Sequence, residues 1–245
     1  MAQPKRFPEI GALAHDMGLR GGFIFWDLET IGLLPPQQKT PDTDRGCSSV
    51  GIVEISIAAV DCDGTPSWVF NKIIDPEVRI PYGASKVHGI YDKDIVGCPT
   101  FFAVAPLLRE VFHGQDVLPV GFNSWRFDEP YLNAVADRYG IPPILPERQT
   151  GDLRRVWLQV SPPENNGRGR LSDHIAPAYN VSVEAAHRAW GDVRTLIRTM
   201  EAMIVRHGRD FVAQYLTDRD LSRVRDHVSG PEVKKEEVVS GDFSR

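Results

Sequence analysis

Three short stretches of the sequence carry acidic residues and a histidine in arrangements that could do chemistry. FIFWDLET holds Asp27 and Glu29, GFNSWRFDE holds Asp128, and AHRAWGD holds His187 and Asp192. Four carboxylates gathered at one point would repel one another strongly unless divalent cations lay between them. Carboxylates that hold two metal ions beside a histidine base can hydrolyse phosphodiesters. Such chemistry requires a fold that brings the three stretches together.

The composition is that of an ordinary globular protein. Its 245 residues, 42% of them hydrophobic, suffice for one good-sized domain with a real core. No apolar run approaches the roughly 20 residues that a membrane helix needs, and the first residues lack the apolar stretch of a signal peptide. Cys47, Cys62 and Cys98 are odd in number and lack metal-type spacing, which favours reduced thiols. We therefore expect a cytoplasmic protein with no membrane partner.

The charge is unevenly distributed along the chain. The formal net charge is −5, which argues against coating nucleic acid by charge alone. Residues 148–198, however, contain eight arginines and five acids, a local charge of +3. This basic region overlaps the third stretch, where a phosphate backbone would have to lie. Alternatively, these arginines simply solvate exposed helix faces.

The order of the predicted elements indicates an α/β fold. Aromatic and β-branched runs predict strands at 22–30, 51–60, 68–74 and 117–122. Helical apolar spacing predicts helices at 101–113, 128–139, 153–160, 172–179, 184–207 and 211–224. A turn at 61–64 joins the second and third strands, so the first three form an antiparallel meander. We expect a mixed sheet with helices packed on it.

The two acidic stretches also have plainer interpretations. A strand that ends in Asp-x-Glu could dip both acids into solvent. Side chains alternate across a strand, so Asp27 and Glu29 share one face. The apolar residues around them favour a buried strand end that needs a compensating cation. Asp128 could instead be an N-terminal acid that interacts favourably with a helix dipole.

The spacing of His187 and Asp192 sets a condition on the third stretch. Five residues correspond to roughly 140° around a helix, so the two side chains would not share a face. They can converge only if His187 lies at the start of the helix and Asp192 in its first turns. Ser182 and Glu184 offer start signals just upstream. A lone histidine near a helix start is more often structural than catalytic.

Taken together and in order, the three stretches resemble the motifs of the DEDDh branch of the DnaQ-like 3′→5′ exonucleases. The resemblance implies their RNase H-like fold, a mixed sheet of an antiparallel three-strand meander plus parallel strands, flanked by helices. The word Lys-Val-His-Gly-Ile at 86–90 is similar to a further signature of these enzymes, and the resemblance runs from about Gly22 to Met203. The second motif places Phe122 before Asn123 and five residues from Asn123 to Asp128. In this respect it is most similar to bacterial exonuclease I.

The resemblance implies roles for individual residues. It implies that two divalent ions, Mg²⁺ or Mn²⁺, are held by four acids: Asp27, Glu29, Asp128 and Asp192. His187 matches the general base that takes a proton from water. The positions that match substrate-binding residues are Thr30, His88, Gly89, Ile90 and Asn123.

The composition along the chain and the extent of the resemblance predict a domain organisation, and the resemblance implies an activity. We expect an N-terminal extension at 1–20, an exonuclease domain at 21–207 with a flexible insertion at 31–50, a C-terminal helix at 208–228, and a disordered tail at 229–245. The expected activity is 3′→5′ hydrolysis of single-stranded nucleic acid, DNA favoured, to nucleoside 5′-monophosphates, with a place in DNA repair. The alternatives are an exoribonuclease, and a proofreading or accessory module that docks a protein partner through the tail.

Overall fold

The computed structural model describes residues 6–34, 50–145, 150–162 and 169–218. Most of the insertion predicted at 31–50, the end of the helix predicted at 208–228 and the whole tail predicted at 229–245 lie outside these ranges. Within them, no helix combines the length and the apolar character needed to cross a membrane.

A five-stranded mixed sheet forms the centre of the fold. Its strands are β1 (Gly22–Thr30), β2 (Ile52–Val60), β3 (Pro66–Ile73), β4 (Val117–Gly121) and β5 (Gly151–Asp152). Their spatial order is β3-β2-β1-β4-β5. β1, β2 and β3 pair antiparallel, whereas β4 runs parallel to both β1 and β5. The predicted meander with added parallel strands is therefore confirmed, and the predicted bounds of β1 match.

The direction of the strands determines where polar residues can gather. β1 lies in the middle of the sheet, and its aromatic side chains, including Phe25 and Trp26, are fully buried. Trp26 packs edge-on against Phe112 with ring centroids 5.4 Å apart. Because β1, β4 and β5 are parallel, their carboxyl ends meet at one edge of the sheet, where α/β folds place their ligands.

Helices cover both faces of the sheet. They are α1 (Pro8–Asp16), α2 (Tyr82–His88), α3 (Phe101–Phe112), α4 (Asp128–Arg138), α5 (Leu153–Val160), α6 (Ala176–Ala178), α7 (Ala189–His207) and α8 (Arg209–Leu216). One hydrophobic cluster packs α1, α5, α7 and α8 against the sheet. A second packs α3 and α4 against it.

The predicted bounds of two helices were wrong. α8 ends at Leu216, well before the end of the helix predicted at 211–224. α7 begins at Ala189, five residues after the predicted start, because Ala185 and His187 adopt left-handed backbone angles, φ 45° and 63°, that a helix cannot accommodate. Glu184 is not a start signal, since its carboxylate pairs with Arg194 and Arg198 on α7. The short helix predicted at 172–179 is confirmed; it begins as a π-helical turn, Leu171–Ile175, and continues into α6.

The segment predicted as an N-terminal extension contributes α1, which packs into the main core. Ile10 and Leu13 are fully buried there. The carboxylate of Glu201 on α7 accepts hydrogen bonds from the main-chain N–H groups of Glu9 and Ile10, at 3.2 and 2.9 Å. These contacts satisfy donors at the start of α1 that would otherwise have no partner.

We predict that Leu13→Ala lowers the free energy of unfolding by about 2–5 kcal/mol, because it opens a cavity where α1 meets the sheet. Urea denaturation followed by circular dichroism measures the change. His15→Ala on the exposed side of the same helix should change stability by no more than about 0.5 kcal/mol. Equal, small effects for both variants would mean that α1 does not belong to the folded core.

Candidate active site

The three stretches singled out in the sequence meet in one cleft at the carboxyl edge of the sheet. The cleft has a volume of about 670 Å³. It is lined by all five residues predicted to act in catalysis: Asp27, Glu29, Asp128, His187 and Asp192. Residues that lie up to 165 positions apart in the sequence, from Asp27 to Asp192, therefore share one surface.

The carboxylates form a tight group. Single oxygens of Asp27, Glu29 and Asp192 all lie within 4.8 Å of one another. The two acids of β1 reach the cleft together because they alternate with buried Trp26 and Leu28. Asp128, the first residue of α4, lies outside this tight trio but lines the same cleft and is 6% exposed.

Burial and mutual repulsion raise the pKa values of the four acids. The pKa of Glu29 rises from 4.5 to about 8, first through burial and then through the charges of Asp192, Glu54 and Asp128. Burial, followed by the charge of Asp152, raises the pKa of Asp128 to about 8. The pKa of Asp27 is also raised well above its ordinary value by burial and then by the neighbouring carboxylates. Burial likewise raises the pKa of Asp192.

These properties fit a divalent cation. The donor set consists of carboxylate oxygens, which are the ligands that hard cations such as Mg²⁺ and Mn²⁺ prefer. Without a cation the acids can relieve their repulsion only by retaining protons near neutral pH. A divalent cation among them would replace those protons and favour the ionised forms.

The start of α7 brings His187 and Asp192 together in the way their spacing requires. The main-chain N–H of His187 donates to Oδ2 of Asp192 at 3.1 Å, and the Ser172 hydroxyl donates to Oδ1 at 2.8 Å. The loop before His187 folds back closely over Gly191. A Cβ at that position would lie 2.3 Å from the carbonyl oxygen of Ala185, so this approach requires glycine.

The loop between β4 and α4 is anchored by a buried acid that the sequence analysis missed. Asp152 accepts hydrogen bonds from the main-chain N–H groups of Asn123 at 2.7 Å, Trp125 at 3.4 Å and Arg154 at 3.0 Å. Asn123 itself adopts a left-handed angle, φ 59°. Asp152 thereby fixes the approach of the chain to Asp128. Its position just before a predicted helix, where an acid commonly caps, was an available signal.

Of the five predicted substrate-binding residues, one lines the cleft and the other four do not. Asn123 lines the cleft. Thr30 donates its hydroxyl to a main-chain carbonyl two residues on, at 2.8 Å. His88 and Ile90 are 3% and 2% exposed, and Nδ1 of His88 accepts the N–H of Ile90 at 3.1 Å. Gly89 ends α2 with a left-handed φ of 74°. Their contacts with a nucleotide stay predictions.

An ion pair beside the cleft also escaped the sequence analysis. Glu54 on β2 is 2% exposed and lies opposite Glu29 in the β1–β2 register. Arg188 donates to its two oxygens from Nε at 2.9 Å and from Nη2 at 2.8 Å. The signal was present, since Glu54 is the one acid within the apolar run GIVEISIAAV.

Arginines line the same cleft as the acids. They are Arg126, Arg154 and Arg170. Burial lowers the pKa of Arg154, and the positive charge of Arg126 lowers it further. The two guanidinium groups therefore repel each other, and an anion bound between them would relieve this repulsion. The cleft combines carboxylates that can hold cations with arginines that can hold phosphates.

Comparisons with known proteins agree with this chemistry. The RNase_T family model, described as an exonuclease, matches residues 24–200. The chain is 29% identical over 203 residues to a Mycobacterium tuberculosis protein named as a putative bifunctional exonuclease/endonuclease. This match covers 82% of the present chain and 30% of the mycobacterial relative. The chain is also 27% identical over 187 residues to DNA polymerase III subunit epsilon of Treponema pallidum, covering 76% of this chain and 78% of that subunit.

A solved structure shares the fold. E. coli exonuclease I in complex with a dT13 oligonucleotide matches with a TM-score of 0.61 and 19% identity, over 78% of this chain and 42% of that one. This match confirms the RNase H-like sheet predicted from the sequence. The chain spans less than half of exonuclease I and less than a third of the mycobacterial relative.

We predict that divalent cations stabilise the protein more at high pH than at low pH. An acid whose pKa is raised by folding, as for Glu29 from 4.5 to about 8, contributes stability below about pH 4.5 that disappears as the pH rises towards about 8. The melting temperature in EDTA should therefore fall across this window. Mn²⁺ should raise the melting temperature more at about pH 8 than at about pH 6, because only ionised acids bind the cation.

Differential scanning calorimetry of the wild type and of Glu29→Gln provides the measurement and its control. The variant cannot ionise at this position, so both the fall and the restoration should be smaller. Superimposable profiles with EDTA and with Mn²⁺ at every pH would contradict a cation site among these acids.

Proposed function

The chain belongs to the RNase_T family of exonucleases, and from that membership we propose that it hydrolyses single-stranded nucleic acid from the 3′ end. DNA is the favoured substrate and nucleoside 5′-monophosphates are the products. The observation that carries the proposal is the convergence of four acids and one histidine in a single cleft. Each lies at a position where the sequence resembles a DEDDh motif.

The acids are proposed to bind two divalent cations, Mg²⁺ or Mn²⁺. Asp27, Glu29 and Asp192 have oxygens close enough to share an ion, and Asp128 approaches from α4. When bound, such cations lower the pKa of a water molecule and stabilise the charge that develops on the leaving 3′ oxygen. The raised pKa values of these carboxyl groups support the assignment, because functional sites concentrate such shifts.

His187 is proposed to be the general base. Its place just before α7 puts it on the wall of the cleft beside Asp192. An imidazole nitrogen can accept a proton from the attacking water. The negative charge of the neighbouring acid would stabilise the imidazolium that forms. Removal of such a base typically costs about 10²- to 10⁴-fold in rate.

The substrate is proposed to thread past the arginines that line the cleft. Arg126, Arg154 and Arg170 offer forked donors that suit phosphate oxygens. Phe122 also lines the cleft and can stack on a base. The likeness in fold to exonuclease I solved with dT13 supports a single strand as the substrate.

A second candidate function is proofreading within a polymerase complex. The match to DNA polymerase III subunit epsilon, which extends over 78% of that subunit, favours it. The two functions share their chemistry and differ in the nucleic acid that is presented to the site. A free single strand and a mismatched primer end on a duplex therefore separate them.

We predict that Asp27→Asn abolishes hydrolysis while the fold is retained, because it removes one ligand from the carboxylate trio. The assay follows a 5′-labelled single strand with Mg²⁺, in which the wild type should give a ladder that shortens from the 3′ end. Asp63→Asn, which removes an exposed carboxylate from a turn, is the control and should cleave like the wild type. Wild-type turnover by Asp27→Asn, or a wild type that leaves the strand uncut, would overturn the proposal.

We predict that Arg126→Gln weakens substrate binding because the variant can no longer pair its side-chain charge with a phosphate. For single strands, removing one such ion pair should make the slope of log K against log salt shallower by about 0.7. Fluorescence anisotropy with a labelled oligonucleotide in Ca²⁺ measures this slope. Arg20→Gln is the matched control, since Arg20 pairs with Asp116 near the amino end of β1. Equal slopes for Arg126→Gln and the wild type would contradict the pairing with phosphate.

A substrate panel then separates the candidate functions. Matched DNA and RNA single strands, and duplexes with paired or mismatched primer ends, are digested under the same conditions. A single-strand deoxyribonuclease degrades the DNA strand fastest and stops at the duplex. Preferential removal of the mismatched primer end would favour proofreading, and faster digestion of the RNA strand would favour an exoribonuclease.

A further inference from the structure

An ion pair with a buried carboxylate ties the sheet to the start of α7 beside the cleft. Arg188 makes two hydrogen bonds to Glu54, at 2.9 and 2.8 Å, and the main-chain N–H of Ala189 donates to the same carboxylate at 3.0 Å. We propose that Glu54 and Arg188 are positioning residues that hold His187 at a fixed place relative to the acids of β1. The inference rests on the proposed function, in which His187 is the base.

The pair connects two parts of the site that lie 134 residues apart in the sequence. Glu54 lies directly across from Glu29 in the β1–β2 ladder, so its position is fixed relative to the β1 acids. Arg188 follows His187 immediately in the sequence, and Ala189 is the first residue of α7. A bidentate arginine–carboxylate contact restricts both distance and orientation.

The chain at His187 needs such a restraint. Its φ of 63° lies in the left-handed region, which a residue with a side chain occupies only when its surroundings hold it there. From Arg188 onwards, main-chain hydrogen bonds link its carbonyl to the N–H groups of Gly191 and Asp192, at 2.8 and 3.0 Å. Anchoring Arg188 to β2 therefore also fixes the residues on either side of it.

The ion pair also controls charge at the cleft. The buried carboxylate of Glu54 lies directly across the β1–β2 ladder from Glu29, so a fifth acidic group adjoins the four acids of the cleft. Arg188 compensates the charge of the buried Glu54. Removing Arg188 alone should consequently do more harm than removing both members, because it leaves a buried carboxylate without its cationic partner.

The test compares Glu54→Gln in the wild type and in a His187→Ala background, using steady-state cleavage of the labelled strand with excess substrate. We expect the kcat of Glu54→Gln to fall by about 10- to 100-fold, the range for residues that support a site from outside it, with KM nearly unchanged. In His187→Ala, the same change should add little further loss, since residues that act through one group are not additive.

Two further measurements accompany this cycle. Arg188→Gln should lose more activity than the Glu54→Gln, Arg188→Gln double variant. Amide hydrogen exchange at His187 and Ala189 should accelerate in Glu54→Gln, whereas exchange within β1 should not change. Glu201→Gln is the matched control, because Glu201 also accepts two main-chain N–H groups at a helix start, at α1, and this substitution should leave kcat unchanged.

The outcomes are distinct. An equal loss from Glu54→Gln with and without His187, or unchanged exchange at His187 and Ala189, would overturn the positioning role and assign the pair to stability alone. If His187→Ala cleaves too slowly to compare, the exchange data and the Arg188→Gln comparison decide. A wild type without any nuclease activity would instead reject the proposed function, and would do so before any variant is examined.

Discussion

Repulsion among carboxylates in a partly dry cleft is the constraint on which the rest of the structure depends. Asp27, Glu29 and Asp192 have oxygens within 4.8 Å of one another, and burial raises the pKa of each. Such an arrangement costs folding free energy whenever the acids ionise. A fold retains it only where something else, here a divalent cation by our account, stabilises the ionised state.

The remaining structure holds this unfavourable group in place. β1 presents two acids from the middle of the sheet, beyond the end of its pairing with β4 at Phe25, and its pairing with β2 fixes both of them. Asp152 anchors the loop that leads to Asp128 through main-chain N–H groups. Glu54 and Arg188 anchor the start of α7. The carboxylates of Asp152 and Glu54 that make these contacts are themselves buried, so the positions of the residues they bind are well defined.

The sequence predicted four of the five strands and the five cleft residues, but neither β5 nor the residues that anchor the site. The run of aromatic and β-branched residues located β1 at its observed bounds, and the family resemblance of the ordered acidic stretches implied their convergence. The start of α7 was predicted too early because Ser182 and Glu184 have the residue types of local start signals. In the fold, the carboxylate of Glu184 instead pairs with Arg194 and Arg198. Glu54 stands out as the one acid in an apolar run, but its pairing was overlooked because Arg188 lies 134 residues away, a contact that no local pattern reveals.

The most direct test of a cation site among the acids is isothermal titration calorimetry with Mn²⁺ near pH 7, in two buffers of different ionisation enthalpy. The account predicts saturable binding accompanied by proton release, because the cation must displace protons from acids such as Glu29 and Asp128, whose pKa values are about 8. Asp27→Asn should bind more weakly. Saturable binding that Asp27→Asn leaves unchanged, or no binding at all, would contradict it.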